Sequence, residues 1–330
     1  MNKIGVIGGG AWGTALAQSQ ALAGKNVVLW AREEDVVSSI NHDHENKPFL
    51  PDITLDEKVS ATSSLADAAR ADALLIVTPA QHLRASLSSL KPALQPETSL
   101  VICAKGVEIE TGAMLSQIAR DIVPQNPIAI LTGPTFAAEI ARGLPSAVTL
   151  AMNDLESAQK LAENLNSRNL RMYPSDDIIG AQIGGAVKNV IAIACGMIEG
   201  KKLGDSARAA LVTRGLAEIT RLGTALGAKR ETLMGMCGVG DMILTCSSMQ
   251  SRNFSLGVAL GQGRKLSDIL AERNSVTEGV YTAKALATMA KNNAVEMPIS
   301  EAVNKCLTEE IDVDVLIANM LDRPVKAERT

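Results

Sequence analysis

The chain opens with a short apolar run, Lys3 to Ile7, that stops at Gly8-Gly9-Gly10-Ala11-Trp12-Gly13. Beyond these glycines, Thr14 to Ala23 reads as a helix ending at Gly24. A strand, a G-x-G-x-x-G turn and a helix in that order leave few local folds open. Gly8 permits the tight turn, Gly10 lets backbone N–H groups approach a pyrophosphate, and Gly13 lets the helix lie close on the strand. The helix N-terminus adds partial positive charge where phosphates would rest. The pattern predicts a dinucleotide on the first helix. As a bare string it is weak, because glycine turns are common; its place between strand and helix gives it weight.

Further short β-branched runs follow at Val27 to Trp30, Ala73 to Val77, Ser99 to Ala104, Ile128 to Thr132 and Ala147 to Leu150. Helical stretches lie between them, with cap signals such as Ser63 and Ser64 before Leu65, and Asp154 before Leu155. This alternation predicts right-handed βαβ units and a parallel sheet. A longer loop, about His42 to Lys58, holds Pro48 and Pro51 and is either functional or mobile. After Tyr173-Pro174-Ser175 the strand pattern stops and apolar helical periodicity takes over. With 330 residues, 46% of them hydrophobic, the chain can fill two cores. The expected fold is an N-terminal α/β domain, residues 1–176, with a Rossmann-type, doubly wound, mainly parallel sheet. An all-helical second domain, residues 177–330, follows it, and Arg323 to Thr330 are expected to fray.

Charge and composition narrow the partners. A formal net charge of −4 with both signs interspersed gives no field that would gather nucleic acid or an anionic membrane. The five cysteines form no C-x-x-C pair, which argues against a zinc site and a disulfide framework. The N-terminal run lacks the pattern of a secretory signal, so a cytoplasmic location is expected. The most membrane-like stretch, Ile183 to Ile198, is broken by Lys188 and Asn189 and is too short for a bilayer. It is read as a buried helix. The helical second half offers surface for a homodimer.

Several residues are candidates for chemistry. The second strand ends in Ala31-Arg32, where an acid usually grips the ribose 2′-hydroxyl; arginine suits a 2′-phosphate, while Glu33 keeps NAD possible. Either NADP or NAD is expected, with NADP accepted. The three histidines, His42, His44 and His82, read as structural or solvated. Lys188 lies in a segment apolar on every face, with Gly184 and Gly185 leaving room for a ligand. Burial would lower its pKa into the range for proton transfer. The alternative is a lysine that reaches the surface or pairs with a core carboxylate. Ser251-Arg252-Asn253, preceded by Gly238-Val239-Gly240-Asp241, places several donors at a probable helix start and suits a phosphate, although serine and asparagine are also ordinary caps. Lys105-Gly106 and Gly133-Pro134-Thr135 follow strands at the end where ligands bind in doubly wound folds; turn punctuation explains them equally well.

Together these segments resemble one family, the bacterial NAD(P)-dependent glycerol-3-phosphate dehydrogenases. The likeness runs collinearly through Gly8 to Ala15, Ala104-Lys105-Gly106, Gly133 to Ala137, Gly185 to Asn189, Gly238 to Asp241, Ser251 to Asn253 and Val276-Thr277-Glu278-Gly279. It departs at Phe49-Leu50-Pro51-Asp52, where the family has Tyr-Leu-Pro-Gly, and at Ala104, where it has threonine. The resemblance implies reversible conversion of sn-glycerol 3-phosphate and dihydroxyacetone phosphate, run toward the alcohol for phospholipid synthesis. It implies Lys188 as proton donor and acceptor with Lys105 polarising the substrate. It further implies substrate contacts at Lys105, Gly133, Thr135, Asp241, Ser251, Arg252 and Asn253. Cofactor contacts are implied at Trp12, Arg32, Lys105, Ala137, Arg252, Val276 and Glu278. Two other readings stay open: another Rossmann dehydrogenase with a helical second domain and a lysine acid or base, of the 3-hydroxyisobutyrate or 6-phosphogluconate type, and a non-catalytic dinucleotide sensor or scaffold.

Overall fold

A computed structural model describes residues 1–273 and 276–324, so most of the terminus expected to fray, 325–330, lies outside the described residues. The chain divides into two compact units: residues 1–104 with 115–178, and residues 105–114 with 179–330. The sequence had marked no break at 105–114. That segment turns back on itself, with an antiparallel bridge between Val107 and Met114, and puts both side chains into the core of the second unit.

The first unit holds one eight-stranded sheet: β1 (Lys3–Ile7), β2 (Asn26–Trp30), β3 (Val59–Thr62), β4 (Ala73–Ile76), β5 (Ser99–Ile102), β6 (Ile128–Thr132), β7 (Ser146–Ala151) and β8 (Leu170–Ser175). Their spatial order is β3-β2-β1-β4-β5-β6-β7-β8. Every pairing is parallel except β6 with β7, so the sheet is mainly parallel, as expected. β4 is buried along its whole length, as it must be where both faces are covered. The strands missed in the sequence, β3 and β8, are the two edges. β3 buries only Val59 and Ala61, and β8 contains Arg171 and Pro174, which an edge strand tolerates.

The intervening helices are α1 (Ala11–Leu22), α2 (Glu34–Asp43), α3 (Leu65–Ala69), α4 (Leu83–Leu90), α5 (Leu115–Ile122), α6 (Ala137–Ala141) and α7 (Leu155–Leu165). Ser64 and Asp154 cap α3 and α7 by accepting from Asp67 N and from Glu156 N and Ser157 N. Strand order reverses between β1 and β4, which sets the glycine loop after β1 at the switch point where such sheets bind ligands.

Among its described residues the second unit has no strand longer than an isolated bridge. Its helices are α8 (Ile178–Gly200), α9 (Asp205–Ala225), α10 (Arg230–Leu233), α11 (Asp241–Thr245), α12 (Arg252–Gly261), α13 (Leu266–Ala271), α14 (Glu278–Asn292), α15 (Pro298–Leu307) and α16 (Val313–Leu321). α8 has 23 residues, longer than its sequence suggested and long enough, with its apolar composition, to cross a membrane. Yet 94% of its apolar window is buried inside the protein. The length argument therefore fails for this helix, and burial shows it to be a core element.

Glycines set how closely α8 is packed. A Cβ on Gly196 would lie 2.1 Å from Phe254 O, and one on Gly257 would lie 2.0 Å from Ile193 O. Gly200 and Gly261 repeat the contact one turn on. At these glycines the backbones of α8 and α12 touch without side chains between them.

Candidate active site

In the first unit β1 delivers the chain to Gly8, whose N–H donates to Trp30 O at 3.0 Å. A Cβ on Gly13 would sit 1.9 Å from Gly8 O, so only glycine lets α1 begin this close to the strand. A Cβ on Gly10 would meet nothing within 4 Å. The loop is thus tight beneath Gly13 and open beyond Gly10, which suits a pyrophosphate reaching backbone N–H groups. The first-turn N–H groups of the 12-residue α1 have no acceptor inside the helix. Trp12 is half-buried on that turn, against the sheet core.

Arg32 stands exposed just past β2 and pairs with its neighbour Glu33 at 2.7 Å. At the end of β6, Gly133 allows close approach, for a Cβ there would lie 2.8 Å from Val148 Cα. The Thr135 hydroxyl donates to Gly133 O at 3.4 Å, and Ala137 begins α6. His42 and His82 are exposed, and His44 is half-buried at the end of α2.

In the second unit three separate pieces of chain bring charges together. Lys188 Nζ donates to Asp241 Oδ1 at 2.6 Å and to Thr245 Oγ1 at 2.6 Å. Lys105 Nζ donates to the other oxygen, Asp241 Oδ2, at 2.5 Å. Thr245 Oγ1 in turn donates to Asp241 Oδ1 at 3.1 Å. Lys188 and Asp241 are buried, whereas the Lys105 side chain keeps 18% of its surface. The two alternatives for Lys188 therefore merge: it pairs with a core carboxylate and stands beside a second lysine.

Burial pushes Lys188 down to about 8; Asp241 opposes that fall and the Lys105 charge adds to it. For Asp241, burial alone would raise the pKa, but the two ammonium groups outweigh it and hold the carboxyl below its ordinary range. At neutral pH the cluster is an anion between two cations, one of which gives up its proton readily. Thr245 was not singled out in the sequence. Its signal was available, because Asp241 and Thr245 are four apart on one helix and so share a face.

Ser251 caps α12, its hydroxyl oxygen accepting from Phe254 N at 3.2 Å, and its hydroxyl hydrogen remains for another acceptor. Arg252 is exposed at the first turn. Asn253 is more engaged than its motif suggested. Its Oδ1 accepts from Gly279 N at 3.0 Å and its Nδ2 donates to Asn189 Oδ1 at 2.9 Å, leaving one N–H. These bonds join α12 to α8 and to the start of α14, where Glu278 is the first residue and Val276 just precedes it. Arg273, also unforeseen, donates to Arg252 O at 2.6 Å, Thr277 Oγ1 at 3.3 Å and Ser255 Oγ at 3.1 Å.

A doubly wound sheet with a glycine loop at its switch point, joined in one chain to a helical unit holding a desolvated lysine, defines an NAD(P)-dependent oxidoreductase. Comparison with known proteins narrows the class. Residues 3–158 match the family described as NAD-dependent glycerol-3-phosphate dehydrogenase N-terminus, and residues 177–318 match the corresponding C-terminus. The chain is 55% identical over 326 residues to glycerol-3-phosphate dehydrogenase [NAD(P)+] of Parvibaculum lavamentivorans, covering 99% of this chain and 98% of that protein. The enzyme of the same name from Rhodospirillum rubrum is also 55% identical, over 329 residues, covering 99% and 94%. The crystal structure of glycerol-3-phosphate dehydrogenase from Coxiella burnetii matches with a TM-score of 0.93 at 36% identity, covering 98% of this chain and 99% of that one. The chain belongs to the NAD-dependent glycerol-3-phosphate dehydrogenase family, and the resemblance read from its motifs holds along its length.

Proposed function

We propose that this protein catalyses the reversible reduction of dihydroxyacetone phosphate to sn-glycerol 3-phosphate with NADPH or NADH, run toward the alcohol that supplies the glycerol backbone of phospholipids. The observation that carries the reading is Lys188, buried, 2.6 Å from Asp241 and titrating at about 8. Reducing a carbonyl to a carbinol requires a proton on its oxygen. Lys188, protonated below about pH 8, gives that proton from Nζ and takes it back in the reverse reaction. Asp241 and Thr245 hold Nζ in one direction. Lys105, on the other carboxylate oxygen, sets a positive charge against the oxyanion as it develops. When bound, the nicotinamide supplies or accepts the hydride.

The substrate phosphate is assigned to Ser251, Arg252 and the remaining N–H of Asn253. Arg252 offers a planar fork at a helix start, its guanidinium partly desolvated with the Glu278 charge opposing that effect, and phosphate binding then fixes the carbonyl by remote contact. Gly133 and Thr135 are assigned to the substrate, and Trp12, Ala137, Val276 and Glu278 to the cofactor. Arg32 supports a preference for NADPH, since its guanidinium stands in solvent where a 2′-phosphate would meet it. All five cysteines are buried free thiols, which supports a reducing cytoplasm.

The deciding experiment follows absorbance of NADPH and NADH with dihydroxyacetone phosphate, beside 3-hydroxyisobutyrate and 6-phosphogluconate in the oxidising direction. Turnover of dihydroxyacetone phosphate with either cofactor is expected, and KM for it should rise in Arg252→Ala. Consumption of neither cofactor with this ketone would refute the assignment.

A further inference from the structure

The loop after α2 carries a fully buried amide at a position that no motif marks. Asn46 has no exposed surface. Its Nδ2 donates to Gly9 O at 2.8 Å and to Thr14 Oγ1 at 2.6 Å, so both amide hydrogens are engaged. Its Oδ1 accepts from Phe49 N at 3.3 Å, and its backbone oxygen accepts from Leu50 N at 2.8 Å. Asn46 therefore ties its own loop to the glycine turn 37 residues earlier.

A trans peptide is planar, with its C=O and the next N–H pointing opposite ways. The peptide joining Gly9 to Gly10 has its oxygen turned inward to Asn46, so the Gly10 N–H faces outward. The turn is also open at Gly10, where a Cβ would meet nothing within 4 Å. Two consecutive glycines have no side chain to favour either orientation of the peptide between them. In the flipped orientation an oxygen would face any bound anion in place of a donor.

We propose that Asn46 is a positioning residue for the dinucleotide: by fixing the Gly9 carbonyl it aims the Gly10 N–H at the pyrophosphate. The proposal rests on reading the glycine loop as the dinucleotide site. It assigns a purpose to the loop from about residue 42 to 58, whose first part is clamped to the turn. Ser39 Oγ donating to Glu45 O at 2.6 Å, and Asp52 N donating to Glu45 Oε1 at 2.9 Å, brace the same loop without touching Gly9.

The test uses the full-length protein, with ADP-ribose as a probe of the pyrophosphate site and NADPH as the complete cofactor. Asn46→Ala removes the clamp, and Asn46→Asp turns a carboxylate oxygen toward the Gly9 oxygen, which favours the flipped peptide. The Kd for ADP-ribose should rise about tenfold in the first and more in the second. KM for NADPH should follow that rise while kcat at saturating NADPH changes less than threefold. Glu45→Ala loosens the loop elsewhere and should lower the Tm while leaving the Kd within twofold. Should neither Asn46 variant fold, Thr14→Val, nearly isosteric, removes one of the amide's two acceptors together with a hydroxyl that itself donates to Gly9 O at 3.5 Å, and should still raise the Kd threefold. Folded Asn46 variants that bind ADP-ribose within twofold of wild type would overturn the proposal, as would an unchanged Kd in Thr14→Val. A wild-type protein that binds neither probe would instead refute the reading of the glycine loop.

Discussion

Asp241→Asn is the sharpest perturbation of the lysine cluster, because it removes one charge and almost no volume. Asp241 lies 2.6 Å from Lys188 Nζ and 2.5 Å from Lys105 Nζ, in a buried site. At an effective dielectric of about 20, unit charges roughly 3 Å apart attract by about 5 kcal/mol, an upper bound worth roughly 4 pKa units. Asparagine keeps a carbonyl oxygen and its dipole, so about half of that bound, roughly 2 units, is the working figure. The sign follows from the cause: the Asp241 charge raises the Lys188 pKa, so losing it lowers that pKa further. Lys188 should fall from about 8 to roughly 6 or below.

On the role proposed for Lys188, reduction requires its protonated form. At pH 7.5 the protonated fraction would drop from about three quarters to about 3%, a loss of roughly 25-fold from ionisation alone. The assay is the pH dependence of kcat/KM for dihydroxyacetone phosphate at saturating NADPH, which reports the form of the enzyme before the ketone binds. The substrate's own phosphate, with a second pKa of about 6, titrates in both profiles and cancels in the ratio of variant to wild type. The limb that falls with rising pH should move about 2 units toward acid, with part of the lost activity recovered near pH 6. A limb that stays within about half a unit of wild type, or moves toward alkali, would refute the claim that Asp241 sets the charge on Lys188.

Two further outcomes are expected. Gly257→Ala places a methyl 2.0 Å from Ile193 O, so α8 and α12 must separate, and the loss of stability should be about 1–3 kcal/mol, read from the denaturant midpoint; an unchanged midpoint would mean that the helices are not in backbone contact. Glu218, buried where it accepts from Ile299 N, Ser300 N and Ser300 Oγ, has its pKa raised by burial. A raised folded pKa favours the protonated carboxyl, so this contribution to stability is full below the unfolded value and is lost as pH rises through the folded one. Urea midpoints should show wild type gaining on Glu218→Gln as the pH is lowered; a difference independent of pH would count against it.

The first unit was the more legible in sequence, because its central strands are continuous apolar runs between helix signals. Its edges were hidden for a physical reason: β3 and β8 bury alternate residues or carry proline, and read as loop. The antiparallel entry of β7 has no signature within Ser146–Ala151 itself, since direction is decided by how the chain returns. In the second unit Lys188 stood out as a lysine in an apolar helix. Asp241 stood out as well, as a motif residue, but its pairing did not, because Asp241 lies 53 residues from Lys188 and 136 from Lys105, and no local pattern carries such a pairing. Asn253 shows what a motif leaves out: two of its bonds hold helices together and leave one N–H for a ligand.

The packing of the second unit and its chemistry have one origin. A lysine beside a carboxylate at 2.6 Å would be held above its ordinary pKa if the pair stood in water, since the nearby opposite charge favours the cation. Lys188 lies below that value because desolvation outweighs the pairing. Desolvation of that size requires α8 to be covered on every side, and the glycines at 184, 196 and 200 let Cys237, Phe254 and Val258 bring their backbones against it. Those contacts leave no side chain to bend aside and admit solvent. Tight backbone packing thus tunes the Lys188 ammonium, the proposed proton donor, and Lys105 reinforces it by adding a like charge on the far oxygen of Asp241. A looser helix would keep the same residues and distances in outline, yet its lysine would hold its proton too firmly to pass it on near neutral pH.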